Sequence, residues 1–334
     1  MPRRPPAVAR VLERVTKTAR EHEMFGTGDL VLVSCSGGPD SVCLLYSLWH
    51  LRRLFKIRLA VFHFDHKLRP DSAKDAAYVR NLAGRLRLPF HLRAADEKPW
   101  KGVSIEMWAR SARMRASAEV ADEVGAARIA DGHTLDDQAE TILMALILGW
   151  GLDGLDGVHP VTGKVVRPLL DVNRDDVEAF CRALGLRPRR DPMNADTSLL
   201  RNAIRLEAIP AIEKATGRRV RETFARTAEH LRRDSEALWS DTDEHARRLI
   251  EPQDGGFRIL IEPLLALPNA IAPRVVRRGF QLTDLNWDHE TISAVLDLAS
   301  GRPGRRRDLL LGLKAVREKE YVRVSRSSPS SPES

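Results

Sequence analysis

A short run of glycine, serine and aspartate interrupts the apolar sequence near the start of the chain. Residues 36–41 follow directly on the apolar run 29–34. Glycines after a strand let backbone N–H groups approach a phosphate closely, and the first turn of a following helix favours the same negative charge. The sequence therefore predicts a phosphate-binding loop, which we call the phosphate loop, made of Ser36, Gly37, Gly38, Pro39, Asp40 and Ser41.

The phosphate loop lacks the lysine with which a Walker A loop reaches the β- and γ-phosphates. Asp40 stands instead where a carboxylate would repel a phosphate unless a cation bridges the two. We therefore expect Mg²⁺ to accompany the nucleotide, with Asp40 as its protein ligand. The structural alternative is an ordinary Gly-Pro turn capped by Asp40 and Ser41.

A second group of polar residues follows the apolar run 128–130 and opens a helix-length segment. His133, Asp137 and Glu140 stand at i, i+4 and i+7, so they share one face of the predicted helix. Open α/β sheets bind ligands at the carboxyl ends of their strands, where this face would lie. Any of the three side chains could be a general base there, and helix capping is the structural alternative.

Basic residues concentrate in the second half of a chain whose net charge is +8. Residues 182–233 hold 13 Lys or Arg against 6 Asp or Glu, and residues 301–326 hold 9 against 3. Arg201 and Arg205 lie one helical turn apart in the first cluster. Such clusters favour contact with a polyanion, and solvated arginine-rich helix faces are the alternative.

Further motifs occur in an order and spacing typical of one enzyme family. Besides the phosphate loop they are Asp65-His66-Lys67-Leu68-Arg69, Glu106-x-x-Ala109-Arg110-x-x-Arg113, the nonapeptide 133–141, Arg167-Pro168-Leu169-Leu170, Asp191-x-x-Asn194-x-Asp196 and Arg201-Asn202-x-Ile204-Arg205. Over about residues 25–215 the chain resembles the tRNA(Ile)-lysidine synthases, PP-loop enzymes of the N-type ATP pyrophosphatase superfamily. Residues 254–326 resemble the small C-terminal module of that family more loosely.

The resemblance implies a ligase that forms a carbon–nitrogen bond, with ATP, free L-lysine and a tRNA(Ile) bearing a CAU anticodon as substrates. ATP would adenylate the oxygen on carbon 2 of the wobble cytidine, and lysine would then replace AMP. It implies catalytic roles for Asp40, His133, Asp137 and Glu140. It also implies that the side chains near nucleotide or tRNA are His66, Arg69, Glu106, Arg110, Arg113, Asn194, Arg201 and Arg205.

The chain departs from the family pattern at a few positions. Leu148 precedes Gly149 where the family has an Arg-Gly pair, which removes one candidate charge from the site. Lys67 replaces a glycine of the family motif. Neither departure alters the phosphate loop or the acids of the predicted helix that carries Asp137 and Glu140, which we call the acidic helix.

Strand-like and helix-like segments alternate through the first half of the chain, which predicts βαβ units and a parallel sheet with helices on both faces. The segment 149–154 satisfies G-x-G-x-x-G but follows a helix, so we reject it as a dinucleotide site. We expect an α/β PP-loop catalytic domain over 1–215, a helical connector over 216–252, a small C-terminal α+β module for tRNA recognition over 253–326 and a disordered tail over 327–334. Strands are predicted in the module at 257–261, 309–311 and 321–324.

The composition bears on location and on rival functions. No apolar run approaches the roughly 20 residues that span a bilayer, and we expect a cytoplasmic protein that does not bind membranes. A homodimer is compatible with the sequence. The three cysteines, Cys35, Cys43 and Cys181, form no C-x-x-C pair and are expected to be buried.

Three other functions remain open from the sequence. A PP-loop tRNA thiolase would need paired cysteines, which the chain lacks. A glutamine-dependent amide synthetase would need an ammonia source, and no catalytic cysteine follows Met1. An RNA-binding protein that has lost catalysis would have no reason to retain the acids of the segment 133–141.

Overall fold

The computed structural model describes residues 4–68, 71–96, 105–189 and 196–326. The chain divides into two compact units, Met1–Leu231 and Arg232–Ser334. The division falls within the predicted connector. Over the ranges given above, no helix combines the length and the apolar composition that crossing a bilayer requires.

The first unit is built on a six-stranded sheet, which confirms the predicted α/β fold. Its strands are β1 Leu30–Ser34, β2 Arg58–Asp65, β3 Phe90–Ala94, β4 Arg128–Ala130, β5 Val161–Thr162 and β6 Val165–Val166. The strand order is β3-β2-β1-β4-β6-β5. Neighbouring strands are parallel except for β5, which is antiparallel to β6. β5 and β6 have two residues each, too few to show a hydrophobic period, and the sequence did not reveal them.

Helices connect the strands and cover the sheet. They are α1 Pro6–Glu21, α2 Pro39–Phe55, α3 Ser72–Leu86, α4 Ile105–Glu123, α5 Leu135–Leu148, α6 Leu152–Leu155, α7 Arg174–Ala183, α8 Leu200–Ala203 and α9 Ile209–Thr216. A π-helical turn, Ile204–Ala208, joins α8 to α9. α10, Val220–Leu249, begins in the first unit and ends in the second.

The central strands bury side chains on both faces, which explains their continuous apolar sequence. Val31 and Val33 of β1 belong to one core cluster, whereas Leu32 between them belongs to another that includes Phe62 of β2 and Val120 of α4. Successive side chains of a strand point to opposite faces, so a strand covered on both sides must be apolar at every position.

The second unit contains an antiparallel sheet with helices. Its elements are β7 Ile250–Gln253, β8 Gly256–Leu260, α11 Ile261–Leu265, α12 Ala272–Leu282, α13 His289–Ala299, β9 Arg306–Asp308, β10 Leu313–Arg317 and β11 Tyr321–Arg326. The strand order is β7-β8-β11-β10-β9. Apolar residues of β8, β10 and β11 pack with those of α12 and α13 in one core.

The strand predicted at 309–311 is wrong. Leu310–Gly312 form a 3₁₀ turn, and the strand begins at Leu313. Gly312 has a positive φ of 71°, which breaks the extended backbone after the leucine run. In β10 the buried side chains are those of Leu313 and Ala315, two residues apart. The apolar run 309–311 precedes this strand and is not part of it. The predicted strands at 257–261 and 321–324 correspond to β8 and β11.

Candidate active site

The phosphate loop connects β1 to α2, as the sequence predicts. Gly37 has a φ of 92°, a conformation that favours glycine. The Ser41 hydroxyl accepts a hydrogen bond from the Gly37 N–H at 3.1 Å and donates one to the Gly38 carbonyl at 3.0 Å, so it fixes the turn from inside. Pro39 occupies the first turn of α2, and the N-cap residue Gly38 has no side chain to cap the helix. The amino end of α2 is therefore left to a ligand.

A cleft of about 810 Å³ opens beside the phosphate loop, and strand ends of β1, β2 and β4 lie along it. This volume falls in the range of small-molecule sites. The predicted site residues that line the cleft are Ser36, Asp40, Ser41, His66, Arg110, Arg113, His133, Asp137, Arg201 and Arg205. Gly37, Gly38, Pro39 and Glu140 are not in its lining. Arg69 and Asn194 lie outside the described residues, as does the side chain of Glu106.

Asp40 points into this cleft from the first turn of α2. Its Oδ2 atom lies 3.5 Å from Nη2 of Arg174, the first residue of α7. Its Oδ1 atom is buried without a hydrogen-bond partner among the described residues. Burial raises the pKa of the Asp40 carboxyl to about 6; Arg174 opposes this rise, and Asp137 adds to it. Burial thus makes the charged form of this carboxyl group unfavourable unless a cation accompanies it.

Asp137 has a structural role at the start of α5. Its Oδ2 accepts hydrogen bonds from the N–H and hydroxyl groups of Thr134 at 2.8 and 2.9 Å, which completes a capping box. Its Oδ1 lies 3.0 Å from Nη2 of Arg201. Burial alone would raise the pKa of Asp137, but Arg201, His133 and the Thr134 hydrogen bonds outweigh burial and lower it. Both carboxylate oxygens are thus engaged, which makes Asp137 a weak base.

Glu140 is 1% exposed and lies behind the cleft wall. Its Oε2 accepts a hydrogen bond from Nε of Arg201 at 2.8 Å. Burial, together with the charge of Asp137, raises the pKa of Glu140 against the effect of Arg201. A single arginine from α8 thus bridges two acids of α5.

The neighbouring acid, Asp136, points away from the cleft. It accepts a hydrogen bond from the backbone N–H of Arg174 at 2.7 Å and pairs with Nε of Arg221 at 3.0 Å. It therefore ties the starts of α7 and α10 to α5.

His133 lies between a carboxylate and an arginine. Its Nδ1 is 3.3 Å from Oδ2 of Asp131, and its Nε2 is 3.5 Å from Nη1 of Arg110. Asp131 also accepts a hydrogen bond from the Gly132 N–H at 2.9 Å. Burial would raise the pKa of Asp131, but His133, Arg113 and Arg167 outweigh it and hold that pKa well below its usual range.

Arginines form the wall that faces the acids. Arg110 lies on α4, and its pKa is lowered by burial and by the charge of Arg113. On α8 and the π-helical turn, Arg205 donates a hydrogen bond to Asn202, which in turn donates to the carbonyl of Asp196 at 2.8 Å. The π-helical turn that contains Arg205 fits the tendency of such turns to occur at functional sites.

Two departures from the family pattern have simple structural consequences. Leu148 is 48% exposed and does not line the cleft. Lys67 has a φ of 52°, a left-handed conformation that glycine adopts without strain. Gly149, at the start of the segment 149–154, has a φ of 68° and ends α5. This segment therefore follows a helix, whereas a dinucleotide fingerprint follows a strand.

Sequence reasoning missed Asp131 and Arg174 as parts of this site. Asp131 directly follows β4, so its position at the carboxyl end of a central strand could have indicated it. Arg174 follows an Asn N-cap at the start of α7 and reaches Asp40 only through tertiary packing. No local pattern indicates that contact.

Comparisons with known proteins identify the family of the chain. Residues 9–212 match the PP-loop domain family. The chain is 36% identical to the tRNA(Ile)-lysidine synthase of Symbiobacterium thermophilum, with 96% of this chain and 70% of that relative covered. It is 32% identical to the tRNA(Ile)-lysidine synthase of Clostridioides difficile, with 86% and 64% covered. The chain therefore spans about two thirds of the length of these relatives.

Among solved structures, the U34-tRNA thiolase NcsA from Methanococcus maripaludis, with its [4Fe-4S] cluster, is similar with a TM-score of 0.57. The sequences are 19% identical, and the match covers 68% of this chain and 79% of that chain, so the likeness concerns the fold alone. Fold and loop together define a PP-loop, ATP-utilising domain. Within that class, the chain belongs to the tRNA(Ile)-lysidine synthase family.

The raised pKa of Asp40 predicts that Asp40→Asn stabilises the nucleotide-free protein at pH 8. A carboxyl group whose pKa is higher in the folded than in the unfolded state destabilises the fold as pH rises through about 4 to 6. Removing the charge should recover roughly 2 kcal/mol of unfolding free energy at pH 8, and the gain should shrink as pH falls to about 5. Urea unfolding at both pH values measures it.

The exposed Asp175→Asn serves as the control and should change stability by less than about 0.5 kcal/mol at either pH. An Asp40→Asn protein no more stable than the wild type at pH 8 would show that the carboxyl is not strained by burial.

Proposed function

We propose that this chain carries out the reaction of its family, in which ATP activates the wobble cytidine of a tRNA(Ile) with a CAU anticodon and free L-lysine replaces the activated oxygen. One observation carries the proposal: the phosphate loop, the amino end of α5 and four arginines border the same cleft. The cleft thus offers hydrogen-bond donors for the phosphates and arginine side chains for the negative charge that develops at phosphorus. Titratable side chains lie beside these donors and arginines.

The first step needs the nucleotide phosphates on the loop and the cytidine oxygen in line with the α-phosphate. The backbone of the phosphate loop and the amino end of α2 would bind the phosphates. Arg110 and Arg113, three residues apart on α4, face the loop across the cleft and would stabilise the negative charge that develops during transfer. Pyrophosphate would leave, with AMP joined to the oxygen on carbon 2.

The residues beside the phosphate loop fit a Mg²⁺ ion that arrives with ATP. Asp40 has one buried oxygen without a hydrogen-bond partner among the described residues, and its pKa is raised by burial. Both features fit a carboxylate whose charge a bound cation would compensate. In the described residues no cluster of three or more His, Cys, Asp or Glu could hold a metal alone. Mg²⁺ commonly binds through one or two carboxylates and substrate phosphates, so Asp40 suffices. When bound, the ion would neutralise phosphate charge.

The second step needs a neutral amine, because an ammonium group is not nucleophilic. The adenylated oxygen is by then a good leaving group. The cleft must therefore hold both the activated base and lysine, and exclude water that would compete with the amine.

The tRNA would be held by phosphate contacts while one anticodon base enters the cleft. In the first unit, Arg201 and Arg221 of the basic cluster are paired with buried acids and are committed to the fold. In the second unit, residues 302–308 are exposed, and Arg305, Arg306 and Arg307 lie at or beside the edge strand β9. These three residues supply an exposed basic surface that phosphates could reach.

The thiolase alternative fits the cysteines poorly. A thiolate is the reactive form of cysteine, yet burial raises the pKa of Cys35, which lines the cleft, to about 11. Burial also raises the pKa of Cys181 to about 12 and that of Cys43 well above its usual value. All three behave as buried apolar side chains.

The direct test is the release of pyrophosphate and the mass of the tRNA product. Pyrophosphate release by the wild type should depend on tRNA(Ile) with a CAU anticodon, and the modified tRNA should gain the mass of lysine less water. Asp40→Ala should abolish both because the phosphates lose their cation, while tRNA binding remains close to that of the wild type.

The matched control is Asp122→Ala, an exposed carboxylate on α4 that pairs with Lys164 at the surface. Its turnover should equal that of the wild type. Pyrophosphate release that needs no lysine, with sulfur or ammonia in the product, would decide for a thiolase or an amide synthetase. Full turnover by Asp40→Ala at saturating ATP and Mg²⁺ would remove Asp40 from the mechanism.

Neutralising Arg305, Arg306 and Arg307 to Gln should weaken tRNA binding and leave ATP binding unchanged. Each phosphate contact contributes about −0.7 to −0.9 to the slope of log affinity against log salt. Loss of three contacts should therefore flatten the slope by about 2, as measured by filter binding across a salt series.

A control protein loses the same three charges elsewhere, through Arg53→Gln, Arg58→Gln and Arg85→Gln, all of which are exposed in the first unit. It should keep the wild-type slope. Equal flattening in both proteins would mean that only net charge matters and that the β9 arginines form no specific surface.

A further inference from the structure

The proposed reaction needs a base for lysine, and the contacts of the acidic helix separate the three candidates. Asp137 uses both carboxylate oxygens, one on Thr134 and one on Arg201. Glu140 is buried behind the wall and bound to the same arginine. Asp137 cannot accept a proton from a molecule in the cleft without breaking one of these contacts. Glu140 keeps one oxygen, Oε1, without a hydrogen-bond partner among the described residues, but that atom is buried and Glu140 does not line the cleft.

His133 is arranged differently, because it lines the cleft and each ring nitrogen has a distinct neighbour. Arg110 is a donor only, so its approach to Nε2 at 3.5 Å favours a tautomer in which Nε2 carries the lone pair. A neutral imidazole then carries its proton on Nδ1, where Oδ2 of Asp131 lies at 3.3 Å. The two contacts together select one tautomer.

The contact between Asp131 and His133 is close but imperfectly aligned. Nδ1 is buried and has no strictly aligned hydrogen-bond partner among the described residues. Catalytic hydrogen bonds are often long or poorly aligned before substrate binds. Asp131 itself is fixed by the Gly132 N–H, so a small rotation of the imidazole completes the bond.

We propose that Asp131 is a positioning residue for the second step, holding His133 with its Nδ1–H toward the carboxylate and its Nε2 lone pair toward the cleft, and that His133 Nε2 is the base for lysine. This inference rests on the proposed function. No motif identified in the sequence includes Asp131, and the histidine was one of three equal candidates.

Lysine transfer forms one carbon–nitrogen bond, breaks one carbon–oxygen bond and releases two protons. The lysine ammonium gives one proton to Nε2 of His133 and becomes a neutral amine. The amine lone pair forms a bond to carbon 2 of the cytosine, and the bond from carbon 2 to the AMP-bearing oxygen breaks with its electrons on AMP. The second amine proton passes to solvent, and so does the proton held on His133.

Charged groups on several elements surround this histidine. Arg110 and Arg113 face it from α4, Asp131 from the end of β4, Asp137 from α5, and Arg201 from α8. Arg110 must move aside for an amine to reach Nε2. An incoming anionic phosphate near Arg110 and Arg113 would draw Arg110 away, which would open the base once the nucleotide is in place.

The inference is tested with Asp131→Asn in the full chain, by rapid quench of a single turnover and mass spectrometry of the tRNA. The asparagine can orient the wrong tautomer, so lysine transfer should slow by about 10²-fold. Formation of the adenylated tRNA should stay within about twofold of the wild-type rate, so that this species accumulates. A role confined to folding would slow both steps or neither.

A matched control exists in the same unit. Asp156 forms a second carboxylate–histidine pair, with His159 at 3.1 Å, and neither residue lines the cleft. Asp156→Asn should leave the rate of lysine transfer unchanged. His133→Ala provides a second variant, for which added imidazole should restore lysine transfer without changing adenylation.

The outcomes separate the two proposals. If the wild type forms no lysine adduct on tRNA, the proposed function fails. If the wild type forms it and Asp131→Asn transfers lysine at the wild-type rate, or if adenylation slows as much as transfer, the positioning role of Asp131 is overturned. Failure of imidazole to rescue His133→Ala would overturn the assignment of the base.

Discussion

The ion pairs of Arg201 with Asp137 and Glu140 determine the shape of the site. Taking two carboxylates out of water costs several kcal/mol each, and a bidentate arginine offsets much of that cost. Glu140 is almost fully buried, and the side chain of Asp137, which lines the cleft, is 17% exposed; Arg201 from α8 compensates the charge of both. The same contact places Arg201, Asn202 and Arg205 along the cleft. Charges that resemble catalytic acids in the sequence thus hold the wall together.

The strand order brings the rest of the site to one place. β1 lies between β2 and β4, so the chain leaves β1 toward the phosphate loop beside the turn that follows β4. A Cβ atom on Gly132 would lie 3.4 Å from the backbone of Asp40 and Ser41, which shows how closely the two loops pack. In open α/β sheets, ligands bind at the carboxyl ends of neighbouring strands whose following connections run to opposite sides of the sheet, because a crevice opens between those connections. His133 and Asp40 are neighbours in space for this reason.

Much of this organisation can be predicted from the sequence, because it depends on local patterns. The buried strands are continuous apolar runs, and the phosphate loop needs glycine at a positive φ; both leave a signature in single segments. The run 309–311 shows the limit of such reasoning. Three leucines predict a strand, but Gly312 bends the chain and the register of β10 begins after it.

The roles of individual acids cannot be predicted in this way. His133, Asp137 and Glu140 share a helical face, so spacing treats them as equivalent. These residues differ in their contacts. Arg201, far away in sequence, engages Asp137 and Glu140, whereas the distant Arg110 and the nearby Asp131 lie on either side of His133. Arg174 reaches Asp40 only through a tertiary contact, whereas Asp131 lies two residues before His133 but belongs to no recognised motif.

The most direct measurement is a double-mutant cycle between Glu140 and Arg201, using Glu140→Gln, Arg201→Met and the combined variant in urea unfolding. Arg201→Met alone should cost roughly 3 kcal/mol because it leaves two buried carboxylates unpaired. If the pair organises the site, the combined variant should be less destabilised than the sum of the single variants by about 2 kcal/mol. Single effects that add to within about 0.5 kcal/mol would contradict this and show that the two side chains do not depend on each other.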